Sequence, residues 1–226
     1  MEPLIRYQNV TVRSGKSTLL QEVSFQVPGR GRAVLYGRSG SGKSTILTTL
    51  AGAHRPAGGA VWFQGRQVTP ATLPRVRRSV AFIGQEPVLG AATVREALML
   101  PFTYRANRRL APSRRRLAET LEKLRLDPSI LDNDASVISG GEKQRVVIAR
   151  ALLLGKRVFL ADEVTSALDP ESTEAVLELF GDRRFTLLSV SHDPGWFSIC
   201  SLFMQVEEGR IVRISDRPPG NAEAYA

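Results

Sequence analysis

The stretch GRSGSGKST, Gly37 to Thr45, narrows the possible folds of this chain more than any other feature. Gly37, Gly40 and Gly42 precede Lys43, a spacing that lets the backbone wrap a concave nest with its N–H groups pointing inward at an anion. Such a nest needs a buried strand before it and a helix after it. The sequence supplies both. AVLY, 33–36, is a short apolar run, and STILTTLAGAHRP carries Ile46, Leu47 and Leu50 at helical spacing before Gly52 and Pro56 stop it.

The run SGKST also occurs at Ser14 to Thr18. There Val10 stands where the leading glycine is required, and Val23, Phe25 and Val27 alternate ahead of Pro28. Alternation predicts a strand, not a helix. The first copy therefore reads as a hairpin turn between IRYQNVTV and LLQEVSFQV, and only the second as a phosphate-binding loop.

With 226 residues and 42% apolar content the chain can build a real core, as one large domain or two small ones. Cys200 is the single cysteine, so no internal disulfide forms. No apolar run is long enough to cross a bilayer and no signal segment is expected at the N-terminus, so any membrane span would belong to another chain. The net charge of +9 favours anionic partners: lipid head groups, nucleotides or nucleic acid. Part of it is local, at Arg105, Arg108, Arg109, Arg114, Arg115 and Arg116. That cluster is either a solvated helix face or a membrane or partner contact.

Residues 1 to about 30 read as short antiparallel strands. GAVWFQGRQV and SVAFIGQE add strand, and 87 to about 134 read as an inserted, basic helical subdomain. KQRVVIARALLL and PESTEAVLELFGD read as helices, RVFLADE and FTLLSVSHD as buried strands. CSLFMQVEEGRIVRI reads as a hairpin turning at Glu208-Gly209, and 217–226 as a loose tail. Apolar strands alternating with helices predict an α/β fold, a mostly parallel sheet covered on both faces.

Two more stretches carry chemistry. In VFLADE an apolar strand delivers Asp162 and Glu163 to its end. An aspartate so placed can hold the shell of a magnesium ion in phosphoryl transfer, while side-chain alternation turns the next carboxylate elsewhere, toward the attacking water. In ISGGEKQRVVIARAL, Ser139, Gly140 and Gly141 open a long amphipathic helix. This is either an ordinary capped start or a second phosphate site.

Together these residues resemble the nucleotide-binding subunit of the ABC transporters, over about 4–212. Gly37, Arg38, Ser39, Gly40, Ser41, Gly42, Lys43, Ser44 and the following Thr45 match the Walker A region, and Gln85 the Q-loop. Ile138, Ser139, Gly140, Gly141 and Glu142 match the signature motif. Val158 to Asp162 match Walker B, with Glu163 as the catalytic glutamate; Ser166 to Asp169 match the D-loop and His192 the switch histidine. The resemblance implies a P-loop NTPase with an N-terminal antiparallel β subdomain and an inserted helical subdomain, one ATPase domain over 1–226. It implies ATP and Mg2+ as ligands. Lys43 would neutralise the β- and γ-phosphates, Ser44, Gln85 and Asp162 would serve the metal, Glu163 would polarise water and His192 would steady the γ-phosphate. The signature of one subunit closes over the ATP of another in this family, so a head-to-tail dimer with two sandwiched ATP molecules is expected. A separate integral membrane permease is the second expected partner, with this chain peripheral at the cytoplasmic face.

Three departures from the family pattern stand out. Glu142 occupies a position where glutamine is commoner. Ser14 falls where an aromatic residue ordinarily stacks on adenine; Arg13 or Lys16 is expected to cover the base by cation–π contact, with loose purine preference. SILDNDAS lacks the acidic glycine-containing loop of exporters that fuse span and ATPase, which favours a separate membrane subunit. TVREALMLP, SGGEKQR and DEVTSALD resemble small two-component exporters, including iron exporters. Val88, Leu89, Leu100, Phe102 and Tyr104 are either a partner groove or helical-subdomain core. The alternative is a non-transport ABC ATPase acting on nucleic acid or a protein complex. The single ATPase unit and the short spacing between Lys43 and Ser139 disfavour nucleic acid.

Overall fold

The structure, a computed structural model, describes residues 2–220. β1 (Ile5–Ser14) and β2 (Ser17–Val27) form an antiparallel hairpin that closes on the Ser14–Ser17 pair, so the first SGKST is a hairpin tip. β3 (Arg32–Tyr36) leads through the glycine-rich loop into α1 (Lys43–Leu50). Then come β4 (Gly58–Phe63), β5 (Arg66–Gln67), α2 (Leu73–Ser79) and β6 (Val80–Ile83). The intervening helical stretch holds α3 (Val94–Thr103) and α4 (Arg114–Lys123), with 3-10 turns at 108–110 and 128–132. A bridge between Thr93 and Asp134 ties its two ends together. Next follow α5 (Gly140–Leu153), β7 (Val158–Asp162), α6 (Pro170–Gly181), β8 (Thr186–Val190) and α7 (Pro194–Ile199). β9 (Leu202–Glu207) and β10 (Arg210–Ser215) close the order as a hairpin.

Two sheets result. The first is antiparallel, ordered β2-β1-β4-β5; the second has six strands, ordered β10-β9-β3-β8-β7-β6. Only the β9–β10 pairing of the larger sheet is antiparallel. Every residue of β7 and β8 is buried, as a parallel strand covered on both faces requires. Alternation sorts their side chains. Leu35, Leu160 and Leu188 join Ile46, Leu47 and Leu50 of α1 and the inner face of the antiparallel sheet. Tyr36, Phe159 and Leu187 point the other way, into a cluster with α5, α6 and α7. There Phe159 meets Phe180 and Phe185 edge-on, with ring centroids 5.1 and 5.2 Å apart. Each such buried aromatic or leucine contributes about 1.5–3 kcal/mol. The Tyr7 hydroxyl donates to the Ile46 carbonyl at 2.7 Å, fastening the antiparallel sheet onto α1.

Three expectations need correction. The first thirty residues are not short strands: β1 runs ten residues and β2 eleven. Both strands continue past IRYQNVTV and LLQEVSFQV to the hairpin tip, and irregular register between Tyr7 and Val12 breaks the two-residue period of β1 on the way. α2 and α7 are short helices in segments to which the sequence alone assigned no element; each has proline in its first turn and little apolar periodicity. Glu163 is not a strand residue whose side chain alternates with that of Asp162. β7 ends at Asp162, and Glu163 turns into the left-handed region at φ 48°. Of the expected tail, 217–220 carries no helix or strand, and 221–226 lie outside the described residues.

Candidate nucleotide-binding site

The site lies at the carboxyl ends of β3, β7 and β8, where open parallel sheets place their ligands. Leaving β3, the chain turns at Gly37 (φ 130°), Gly40 (φ 77°) and Gly42 (φ 105°) before α1 begins at Lys43. Gly42 passes so close to β2 that a Cβ there would sit 3.1 Å from the Leu19 carbonyl oxygen. The loop is braced from outside: Gly209 N–H donates to Ser41 O and Gln21 N–H to Gly209 O, both at 2.8 Å. The hairpin tip and the β9–β10 turn are thereby held against the loop.

The nest opens onto a cavity of about 400 Å3 lined by Thr18, Leu19, Ser39, Gly40, Gly42 and Lys43, then Ser44, Thr45, Gln85 and Glu163. Glu208 and Gly209 complete the wall. The buried Lys43 ammonium donates to the Gly37 and Arg38 carbonyls at 2.6 and 2.7 Å. Burial pulls its pKa below the ordinary lysine value, while Glu163 and Asp162 push it back up. Asp162 is buried too; burial raises its pKa and a hydrogen bond from Ser44 opposes that. A hydroxyl on a carboxylate beside Gln85 and Glu163 is a hard, oxygen-rich set, the chemistry that suits Mg2+, which keeps most of its own waters and needs few protein ligands.

Two side chains from distant segments converge on Glu163. Gln85 Nε2 donates to Oε2 at 3.2 Å, and His192 Nε2 lies 3.8 Å from Oε1. The left-handed backbone of Glu163 is strain of the kind stored at functional positions, and the Glu163 N–H to Val190 O bond at 3.0 Å helps hold it. The arrangement provides a carboxylate that can take a proton, flanked by an amide and an imidazole that can orient water.

Ser139, Gly140, Gly141 and Glu142 do not line this cavity. They form a capping box: Ser139 Oγ accepts from Glu142 N–H at 3.2 Å, and Glu142 Oε2 accepts from Ser139 N–H at 2.8 Å. The capped start is thus present, and Glu142 is its reciprocal member. Gly141 packs so closely on the segment 166–169 that a Cβ would sit 3.1 Å from the Ala167 carbonyl. Ser139→Ala should lower stability by about 1 kcal/mol. Glu142→Gln should cost less, because an amide oxygen can accept the same bond. Denaturant midpoints measure both; equal losses would show that the carboxylate charge, not the bond, holds this helix start.

The sequence reading placed Arg13 or Lys16 over the base. Both are exposed at the hairpin tip and neither lines the cavity; Thr18 and Leu19 do. Thr18, Leu19, Glu208 and Gly209 escaped the sequence reading, having no motif of their own. Gln144 also escaped it: buried on α5, it donates to Gly84 O at 3.1 Å, next to Gln85. Of the five apolar candidates for a partner groove, Leu89 and Phe102 belong to the core, while Val88 and Tyr104 are exposed.

The sequence profile of the ABC transporter family matches residues 20–166. The Methionine import ATP-binding protein MetN of Cereibacter sphaeroides is 41% identical over 187 residues, 79% of this chain and 52% of that protein. The chain thus spans about half the length of that relative. The "Probable iron export ATP-binding protein FetA" of Escherichia coli K12 is 33% identical over 195 residues, 84% of this chain and 85% of that protein. A solved dimeric ATP-binding cassette in a post-hydrolysis state with ADP and Pi superposes with a TM-score of 0.83 at 27% identity, covering 96% of this chain and all of that one.

Proposed function

The chain belongs to the ABC transporter family, and from that premise we propose that it hydrolyses ATP as the energy-supplying subunit of a transporter whose membrane part is a separate chain. One observation carries this reading: Lys43, Gln85 and Glu163, scattered over the sequence, line a single glycine-walled cavity, and His192 stands 3.8 Å behind Glu163. The loop N–H groups and the Lys43 ammonium bind the phosphates. Ser44 and Asp162, with Gln85, are the residues that would hold Mg2+, which would supply charge for the phosphate oxygens. Glu163 accepts the proton of the attacking water, and Gln85 and His192 fix the carboxylate that does so. Because Ser139 to Glu142 lie outside this cavity, a second copy is needed to bring a signature turn to it, in a head-to-tail dimer. The dimeric, ADP-bound relative supports that arrangement.

No helix among the described residues is long and apolar enough to cross a membrane. The proposed chain is peripheral, docked on its permease at the cytoplasmic face. Iron export, suggested by FetA, stands beside methionine import, suggested by MetN. No cavity residue favours either, so the proposal stops at transport through a separate subunit.

The same cavity predicts base selectivity. No aromatic side chain among the described residues lines the cavity, and Leu19 and Thr18 offer it aliphatic contact. Apolar contact discriminates poorly between ligands that differ by a polar substituent; strong rejection needs a buried hydrogen-bonding group aimed at it. ATP and GTP should be hydrolysed at rates within about tenfold of each other. A much larger ATP preference would show that another group reads the base. Affinity capture of the chain from detergent-solubilised membranes should bring down a polytopic membrane protein; capture of RNA or DNA in its place would overturn the transport reading.

A further inference from the structure

A second cavity, of about 370 Å3, opens at the amino-terminal starts of β7 and β8, the end of the sheet opposite the phosphate loop. Arg116, Lys123, Lys156, Arg157 and Arg184 line it, against a single acid, Glu119. That carboxylate already accepts from Arg115 Nε at 2.7 Å. Lys123 adds to the positive field on Glu119 but makes no hydrogen bond or ion pair among the described residues, and neither does the Arg157 side chain. Arg116 gives one N–H to the Leu152 carbonyl at 3.1 Å, and its other nitrogens stay available. The Lys156 amine donates to the Arg77 and Arg78 carbonyls, and burial depresses its pKa. Leu152, Leu179 and Phe185 supply apolar wall, with Arg184 stacked over the Phe185 ring at 5.0 Å.

Structural needs do not account for this set. Gathering like charges opposes compaction. Arg114, Arg115 and Arg116 also occupy the first turn of α4, the positive end of the helix dipole, where cations are unfavourable. A concave, predominantly basic wall with apolar flanks, in which Glu119 is taken by Arg115 and Arg184 by Asp182, focuses field onto an anionic ligand, and its volume lies in the range of small-molecule sites. We propose that this cavity binds a multiply charged phosphate group, remote from the ATP site, with Arg157 and Lys123 as its free donors and Arg116 beside them. The phosphate comes either from a soluble phosphate ester or from a phospholipid head group.

The test uses Glu163→Gln protein saturated with magnesium ATP, so that the first phosphate site is filled, and titrates inorganic pyrophosphate calorimetrically. Binding should persist, and the Lys123→Ala/Arg157→Ala double variant should weaken it about tenfold or more, as expected for loss of charge-assisted bonds. Both positions are exposed, so the variant should melt like its parent. A parallel arm sediments the protein with phosphatidylcholine vesicles with and without phosphatidylglycerol. Vesicle binding that needs anionic lipid and the two cations, with pyrophosphate inert, assigns the phosphate to a lipid and supports the site. Pyrophosphate and vesicles both inert, or both insensitive to the double substitution, overturn it. ATP binding is read in the same cell, so failure here leaves the first site standing, and failure of ATP to bind indicts that site alone.

Discussion

Glu163→Gln should bind ATP as the unsubstituted protein does, form a stable dimer in its presence, and turn over about 10²- to 10⁴-fold more slowly. The substitution keeps the shape of the side chain and its capacity to accept from Gln85, now 3.2 Å away. What it removes is the ability to take a proton. It also removes the negative charge that opposes the burial-lowered pKa of Lys43. Phosphate binding rests on the loop and on Lys43, which remain. Trapping the ligand without hydrolysis should therefore shift the chain to dimer in size-exclusion chromatography with light scattering. Wild-type turnover in the variant would remove Glu163 from the role of base. Normal ATP binding without any dimer would break the head-to-tail reading while leaving the phosphate loop intact. His192→Ala is a useful companion, because it leaves the carboxylate in place and withdraws its imidazole neighbour at 3.8 Å.

What could be read in advance follows from how locally each feature is encoded. The phosphate loop is contiguous, and its glycines, preceding strand and following helix all lie within 33–52, so the sequence alone separates it from the copy at Ser14–Thr18. β7 and β8 are apolar throughout because both faces are covered, and that composition is legible. The opposite holds for Thr18, Leu19 and Gly209. They reach the cavity only because Gln21 pairs with Gly209 and Gly209 with Ser41, contacts between segments far apart in the chain. No period or motif announces such a meeting. Glu163 is an intermediate case. Its chemistry was legible from VFLADE, but its direction was not, because the strand stops one residue earlier and a left-handed turn sets the side chain. The reciprocal pair of hydrogen bonds between Ser139 and Glu142 was half legible: the serine as a cap, the glutamate as a mere replacement of glutamine rather than the cap's second arm.

Gly37→Ala should destabilise the fold by about 2–4 kcal/mol and abolish ATP binding at concentrations that saturate the parent. Gly37 leaves β3 at φ 130°, outside the range of ordinary L side chains, and a Cβ there would run into the carbonyl oxygen of Val206 on the neighbouring β9. That carbonyl belongs to the strand paired with β3, so it cannot retreat without opening the sheet. The Gly37 carbonyl is also one of the two that hold the Lys43 ammonium, so any shift of the loop loosens the cation. Gly40→Ala separates the two effects. It shares the positive φ, at 77°, but nothing lies within 4 Å of its would-be Cβ, so it carries only the left-handed penalty of about 1–2 kcal/mol. The expected order in thermal melts is wild type, then Gly40→Ala, then Gly37→Ala, the last showing the far larger drop. Were Gly37→Ala to melt with Gly40→Ala, the close approach of β3 to β9 would not be what fixes the mouth of the loop, and the claim that sheet pairing pre-forms the phosphate nest would fail with it.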